Sequence, residues 1–253
     1  MRVARALPQP TRRAFSAGDN PGSRRDLVVH KAFAGRDKDW GDIRAIVVRQ
    51  PSLDYELIRL ATLLAEHPRG AVPETFALLA LMHLHGARLV GRIDGAGGLL
   101  LLEEQDRGLW DQQEMRVGVE WLARSASGDQ FSRYHAEAGI AAEHCFAPSF
   151  HETRWQEIAG LYARLEQVSP SPLHTLNRAV AVAEWQGVDA ALTLLDGMAL
   201  PAWLERSYLW DAVLGDLYRR AGRIDEFERH RSLAVSAAPS EAVRRLLERR
   251  LSS

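Results

Sequence analysis

The strongest constraint on this chain is a spacing that occurs twice between Pro170 and Pro239. In the second copy Leu214, Gly215, Tyr218, Gly222, Ile224, Ala234 and Pro239 supply, in order, a large apolar residue, a small one, an aromatic, a turn glycine, a second apolar stripe and a stop. A small residue at Gly215 lets two helices approach closely, and Tyr218 fills the space one turn later. Gly222 can adopt the left-handed backbone that ends a first helix. Pro239 marks where the second helix stops. Thirty-five positions earlier Gly187 falls on Gly222 and Leu192 on Phe227, with Asn177, Ala179, Val180, Ala181 and Val182 in the preceding helix. A lone hairpin leaves an apolar face uncovered, and two in tandem cover each other.

This spacing resembles the tetratricopeptide unit. Phe227 stands where that unit expects alanine and Arg231 where it expects an aromatic, which suits a terminal, capping unit. The expected fold is all-α: stacked antiparallel helical hairpins, tetratricopeptide-like at 170–239, in a right-handed α-α superhelix. A composition of 46% apolar and 26% charged residues over 253 positions supports a sizeable globular core. The net charge of −1, from 32 basic and 33 acidic residues, gives no general attraction to nucleic acid or membrane. The one cysteine, Cys145, cannot form an internal disulfide, and no early apolar run has the length of a signal peptide or membrane span. The cytoplasm is the expected compartment.

Residues 1–25 combine prolines, glycines and arginines without apolar periodicity and read as a disordered or loosely attached tail. Residues 26–52 read as a short helix closed by Gly35 and a second that Pro51 stops. The run from Asp26 to Ile43 resembles the C-terminal helical part of small, antitoxin-associated nucleotidyltransferase-fold proteins. That chemistry needs a Gly-Ser turn and a carboxylate pair holding magnesium against a triphosphate. Gly22-Ser23 with Asp37 and Asp39 match it only by count, because the residues between them read as helix where a strand should present the acids. The two aspartates are expected to favour the N-terminus of the next helix instead.

Beyond residue 53 helical faces follow one another: Leu57 to Leu64, Phe76 to Leu84 opened by Pro73, Met115 to Leu122, Tyr134 to Cys145, and Trp155 to Leu165 after a capping box at Thr153 and Gln156. Leu99 to Leu102 reads as extended. His83 and His85, two apart, point to opposite sides of a helix and make a poor metal pair. Glu103, Glu104 and Asp106 have the composition of an acid–base or magnesium site without a visible pocket. The expected roles are Asp106 as cap of a helix starting near Trp110 and Arg107 in local ion pairs. His135, Glu137, Glu143 and His144 are expected on a solvated face. The last helix opens at Ser240, and Arg244, Arg245, Arg249 and Arg250 occupy its outer side. Charge at a helix C-terminus accounts for them, with contact to phosphates or RNA polymerase as the alternative.

Several blocks share one setting: Phe76 to Arg88, Leu101 to Arg107 with Trp110-Asp111, Pro172 to Glu184, and Phe227 to Leu251. Together they resemble the C-terminal, tetratricopeptide-like extension of a group of extracytoplasmic-function sigma factors, over about residues 55–253. The resemblance implies regulation of transcription initiation through protein contacts, with RNA polymerase or sigma-factor regions as partners. No segment reads as the promoter-recognising helices themselves, so direct DNA binding is not expected. The expected function is thus a non-catalytic protein-interaction module with no cofactor and no metal, and the binding face is assigned to Asn177, Arg178, Tyr208, Trp210 and Tyr218. An inactive nucleotidyltransferase-like protein, resting on Asp26 to Ile43, is the second reading.

Overall fold

The structure, a computed structural model, describes residues 55–95 and 98–252. The tail at 1–25 and the nucleotidyltransferase-like stretch at 26–52 lie outside the described residues. The rest is helical: α1 (Tyr55–Glu66), α2 (Pro73–Gly86), α3 (Gln112–Ser125), α4 (Arg133–Phe146), α5 (Trp155–Val168), α6 (Pro172–Gln186), α7 (Val188–Asp196), the short α8 (Ala202–Glu205), α9 (Tyr208–Arg220), α10 (Ile224–Ser236) and α11 (Glu241–Arg250). Among the described residues the sole β pairing is a single antiparallel bridge between Ile93 and Leu99. The expected extended segment therefore shrinks to that bridge, and Leu102–Glu104 forms a turn of 3-10 helix.

The two turn glycines behave as their spacing required. Gly187 (φ 95°) joins α6 to α7, and Gly222 (φ 71°) joins α9 to α10. At Gly222 the amide of Arg223 donates to Tyr218 O at 2.9 Å, and that of Gly222 to Arg219 O at 3.1 Å. These are the two bonds of a Schellman ending, which satisfies carbonyls a helix end would otherwise leave open. Pro73 and Pro172 start α2 and α6, where a missing N–H costs nothing.

Successive helices pack as antiparallel neighbours, and small residues line the contacts. Ala80, Leu81, Leu84, Met115, Ala138, Ala141 and Cys145 join α2, α3 and α4 into one core. A second, larger core runs through α4 to α9 with Ile158, Leu176, Ala179, Ala183, Ala191, Leu204 and Leu217. A third joins α1 to α2 through Ile58, Ala65, Phe76 and Leu79, and in a fourth Phe227 and Ala234 of α10 meet Leu247 of α11 and Leu251 just beyond it. Phe227 is large where a repeat unit expects alanine because the last helix lies over it and leaves a space for a ring.

Two capping expectations are corrected. Asp106 caps only the 3-10 turn Arg107–Leu109 by accepting from Gly108 N at 2.8 Å, while Asp111 caps α3 by accepting from Gln113 N and Glu114 N at 2.8 and 3.0 Å. The Thr153/Gln156 capping box does not form: Thr153 is buried and donates to Ser149 O at 3.1 Å, which leaves no side-chain cap at Arg154. Both errors arise because an Asp or Thr can serve a local turn as readily as a helix start.

Gly118 and Gly215 sit at different helix contacts and should respond oppositely to alanine. A Cβ at Gly118 would come within 2.7 Å of Leu84 Cγ and 3.3 Å of Ala80 O, whereas one at Gly215 meets Leu251 at 3.5 Å and Arg231 N at 3.6 Å, ordinary contact. Gly118→Ala is expected to destabilise by roughly 1–3 kcal/mol through overpacking. Gly215→Ala is expected to stabilise by about 0.5–1 kcal/mol through backbone entropy. Urea denaturation of the two variants checks the pair.

Candidate functional site

The end of α4 is held by charge and aromatic contacts, and a cleft forms beside it. Arg107 reaches back from its 3-10 turn and donates through Nη1 to His144 O at 2.7 Å and Ala147 O at 3.0 Å, so it serves the open carbonyls at the C-terminus of α4. This replaces the local ion pairs expected of Arg107. Arg154 at the start of α5 forks onto Glu143 at 2.7 and 2.6 Å. Phe150 and Trp155 meet edge to face with centroids 5.0 Å apart, and His144 packs on Trp155 at 5.5 Å.

The cleft these groups border has a volume of about 200 Å³ and is lined by Leu102, Glu103, His144, Phe150, Trp155, Ile158, Tyr162, Asn177, Val180, Ala181, Glu184 and Arg250. Four distant stretches of sequence meet there: the 3-10 turn at 102–104, the α4–α5 corner, α6 and α11. Two of its charged groups are paired. Glu184 accepts from Arg220 at 2.6 Å, and Arg250 lies 3.3 Å from the buried Asp216. Arg249, next to Arg250, grips Glu104 at 2.8 and 3.0 Å and donates to Leu99 O at 2.7 Å, which ties the last helix to the 99–104 loop. Arg245 pairs with Glu241 at 3.0 Å, so three of the four arginines on α11 have carboxylate partners.

Of the five residues assigned from sequence to a binding face, Asn177 alone lines this cleft. Arg178 pairs with Glu166 of α5 at 2.9 Å. Tyr208 packs against the Phe227 core, and burial raises the pKa of its hydroxyl. Trp210 packs on the large core. Tyr218 stacks on His230 with centroids 5.4 Å apart, while His230 bonds Asp211 at 2.8 Å and so ties α9 to α10. The residues that sequence reasoning passed over are Phe150, Trp155, Tyr162, Glu184 and His144. Their signal was weak, because each lies on a face that reads as ordinary amphipathic helix or loop.

The expectation of a solvated face on α4 is also corrected. Glu137 is buried at 8% exposure, with Arg133 3.7 Å away on the same helix. His144 Nδ1 is buried without a partner, and burial, reinforced by Arg88 and Arg107, pushes its pKa down to about 3. His83 is likewise enclosed and bonds Glu114 of α3 at 2.7 Å. Among the described residues no group of three or more His, Cys, Asp or Glu side chains is arranged to hold a metal ion, and no helix is long and apolar enough to cross a membrane.

Residues 39–126 match the model of a family of unknown function, DUF6596. An uncharacterised protein of Rhizobium meliloti (strain 1021), R00370, is 35% identical over 198 residues, which covers 76% of this chain and 46% of the relative. The chain thus spans about half the length of the curated relative it matches. No solved structure matches it.

The buried histidine sets a pH dependence. The folded chain keeps His144 neutral down to about pH 3, whereas the unfolded chain protonates it near 6.5. Between these values the unfolded state binds more protons, so the contribution is fully present above pH 6.5 and is lost as the pH falls. From pH 7 to pH 5 the wild type is expected to lose about 2 kcal/mol more stability than His144→Gln. Urea melts of both at the two pH values measure the difference.

Proposed function

We propose that this chain is a non-catalytic helical interaction module, related to the C-terminal regulatory extension of extracytoplasmic-function sigma factors, that modulates transcription initiation through protein contacts. The observation that carries the reading is the cleft itself. Stacked hairpins present Asn177 and Val180 of α6 opposite Trp155 and Tyr162 of α5, an apolar and aromatic wall with a few polar groups, as suits an inserted peptide segment. Glu184 and Arg250 at its rim are paired with Arg220 and Asp216, so the binding energy would come mainly from packing and orientation.

RNA polymerase core and the two promoter-recognising regions of a sigma factor are the proposed partners, because the blocks from Phe76 to Leu251 that resemble the sigma-factor extension include the cleft-lining α6. Purified chain is expected to capture one of them in a pull-down. Asn177→Arg combined with Val180→Glu should weaken that capture by at least about tenfold, a loss of about 1.4 kcal/mol, with an unchanged circular dichroism spectrum. Failure to capture either partner, or capture indifferent to both substitutions, would overturn the reading.

A further inference from the structure

A second cluster lies beside α4, and no feature of the cleft's charge balance accounts for it. Arg88, in the turn after α2, is 7% exposed, and its Nε has no hydrogen-bond partner. Its guanidinium lies 5.0 Å from the centroid of the Trp110 ring, and that of Arg107 lies 4.6 Å from the same centroid. Trp110 is 3% exposed, and its indole Nε1 also lacks a partner. Arg107 spends Nη1 on the carbonyls of α4, while Nη2 stays buried and unbonded. Among the described residues no carboxylate pairs with either arginine.

This arrangement is costly as it stands. Arg88 Nε, Arg107 Nη2 and Trp110 Nε1 are each buried donors without an acceptor, and neither ring stacking nor a helix terminus offsets that desolvation in full. Gly91 sharpens the point. A Cβ there would come within 2.6 Å of Trp110 Nε1, so a side chain at this position would crowd the indole N–H.

We propose that Arg88, Arg107 and Trp110 form a binding site for a small oxyanion, phosphate or a small-molecule phosphate monoester. Arg supplies planar donors matched to phosphate oxygens, and the indole N–H adds a neutral one. The nearby groups fit an anion rather than a cation or a nucleophile. Burial holds the Cys145 thiol protonated, with its pKa pushed up to about 11, and Sγ donates to Leu84 O at 3.5 Å. His144 lines the cleft and feels the charge of both arginines, and it stays neutral, so the positive charge of the cluster comes from Arg88 and Arg107 alone. The site stands independently of which macromolecule occupies the cleft.

Inorganic phosphate and glycerol 3-phosphate are titrated into the full chain at constant ionic strength, with chloride as the reference, and the melting temperature is followed. A saturable rise of several degrees is expected with one or both, and the arm that saturates at lower concentration tells free phosphate from a monoester. Arg88→Lys keeps the charge but loses the planar fork, and is expected to shift the midpoint upward by about tenfold or more. Hydrogen exchange on the wild type provides a readout that needs no variant: phosphate should slow exchange in peptides covering 87–92 and 105–111. No anion-specific rise, a rise unchanged in Arg88→Lys, or exchange slowed elsewhere but not in these peptides would each overturn the assignment.

Discussion

Everything in this fold rests on close approach between neighbouring helices that cannot be stable alone. A helix of nine to fifteen residues, such as α7 or α6, has little intrinsic stability in water and must bury an apolar face. Here that burial uses alanine as well as bulk: Ala80, Ala138, Ala179, Ala183, Ala191 and Ala234 are all at or near complete burial. Small residues bring backbones together, so many weak dispersion contacts are gathered over a short interface. The consequence is intolerance of added volume, most acute at Gly118 under Leu84.

The long connection between α2 and α3 is built differently. Among its described residues few apolar side chains are buried, Ala87 and Trp110 being the buried ones while Val90 and Leu109 are exposed, and it is held by directed contacts. Asp111 N donates to Ala87 O at 2.9 Å, Arg107 serves the end of α4, and Trp110 lies against two guanidiniums. This segment therefore joins α2, α3 and α4 through charge and backbone polarity. At its other end Glu104 is gripped by Arg249, which brings the last helix of the chain onto the same loop. That pair is partly exposed, so its worth lies in fixing the loop's position more than in raw stability.

A cleft and a cationic cluster are thus linked by His144, which lines the first and feels the charge of the second. Its neutrality follows from burial and from the two arginines nearby. On one side the chain offers an aromatic surface whose Glu184 and Arg250 are already paired, and on the other a group of donors without an acceptor. The same carbonyl-capping arginine shapes the end of α4 for the first and supplies charge to the second.

How much of this was legible in the residues differs between helices and site. Periodicity, Pro73 and Pro172 at helix starts, and the positive-φ glycines Gly187 and Gly222 act within a few positions of one another, so the helices and the hairpin turns could be read from the chain alone. The capping roles of Asp106 and Thr153 were misread because one side chain can satisfy either of two nearby backbones, and only packing chooses between them. The cleft was not legible, since Leu102, Trp155, Asn177 and Arg250 come together from segments far apart in the chain. Nor was the buried state of Arg88, because an arginine after a helix carries a local signature of solvent exposure, and it takes Trp110 and α4 folding over it to remove the water.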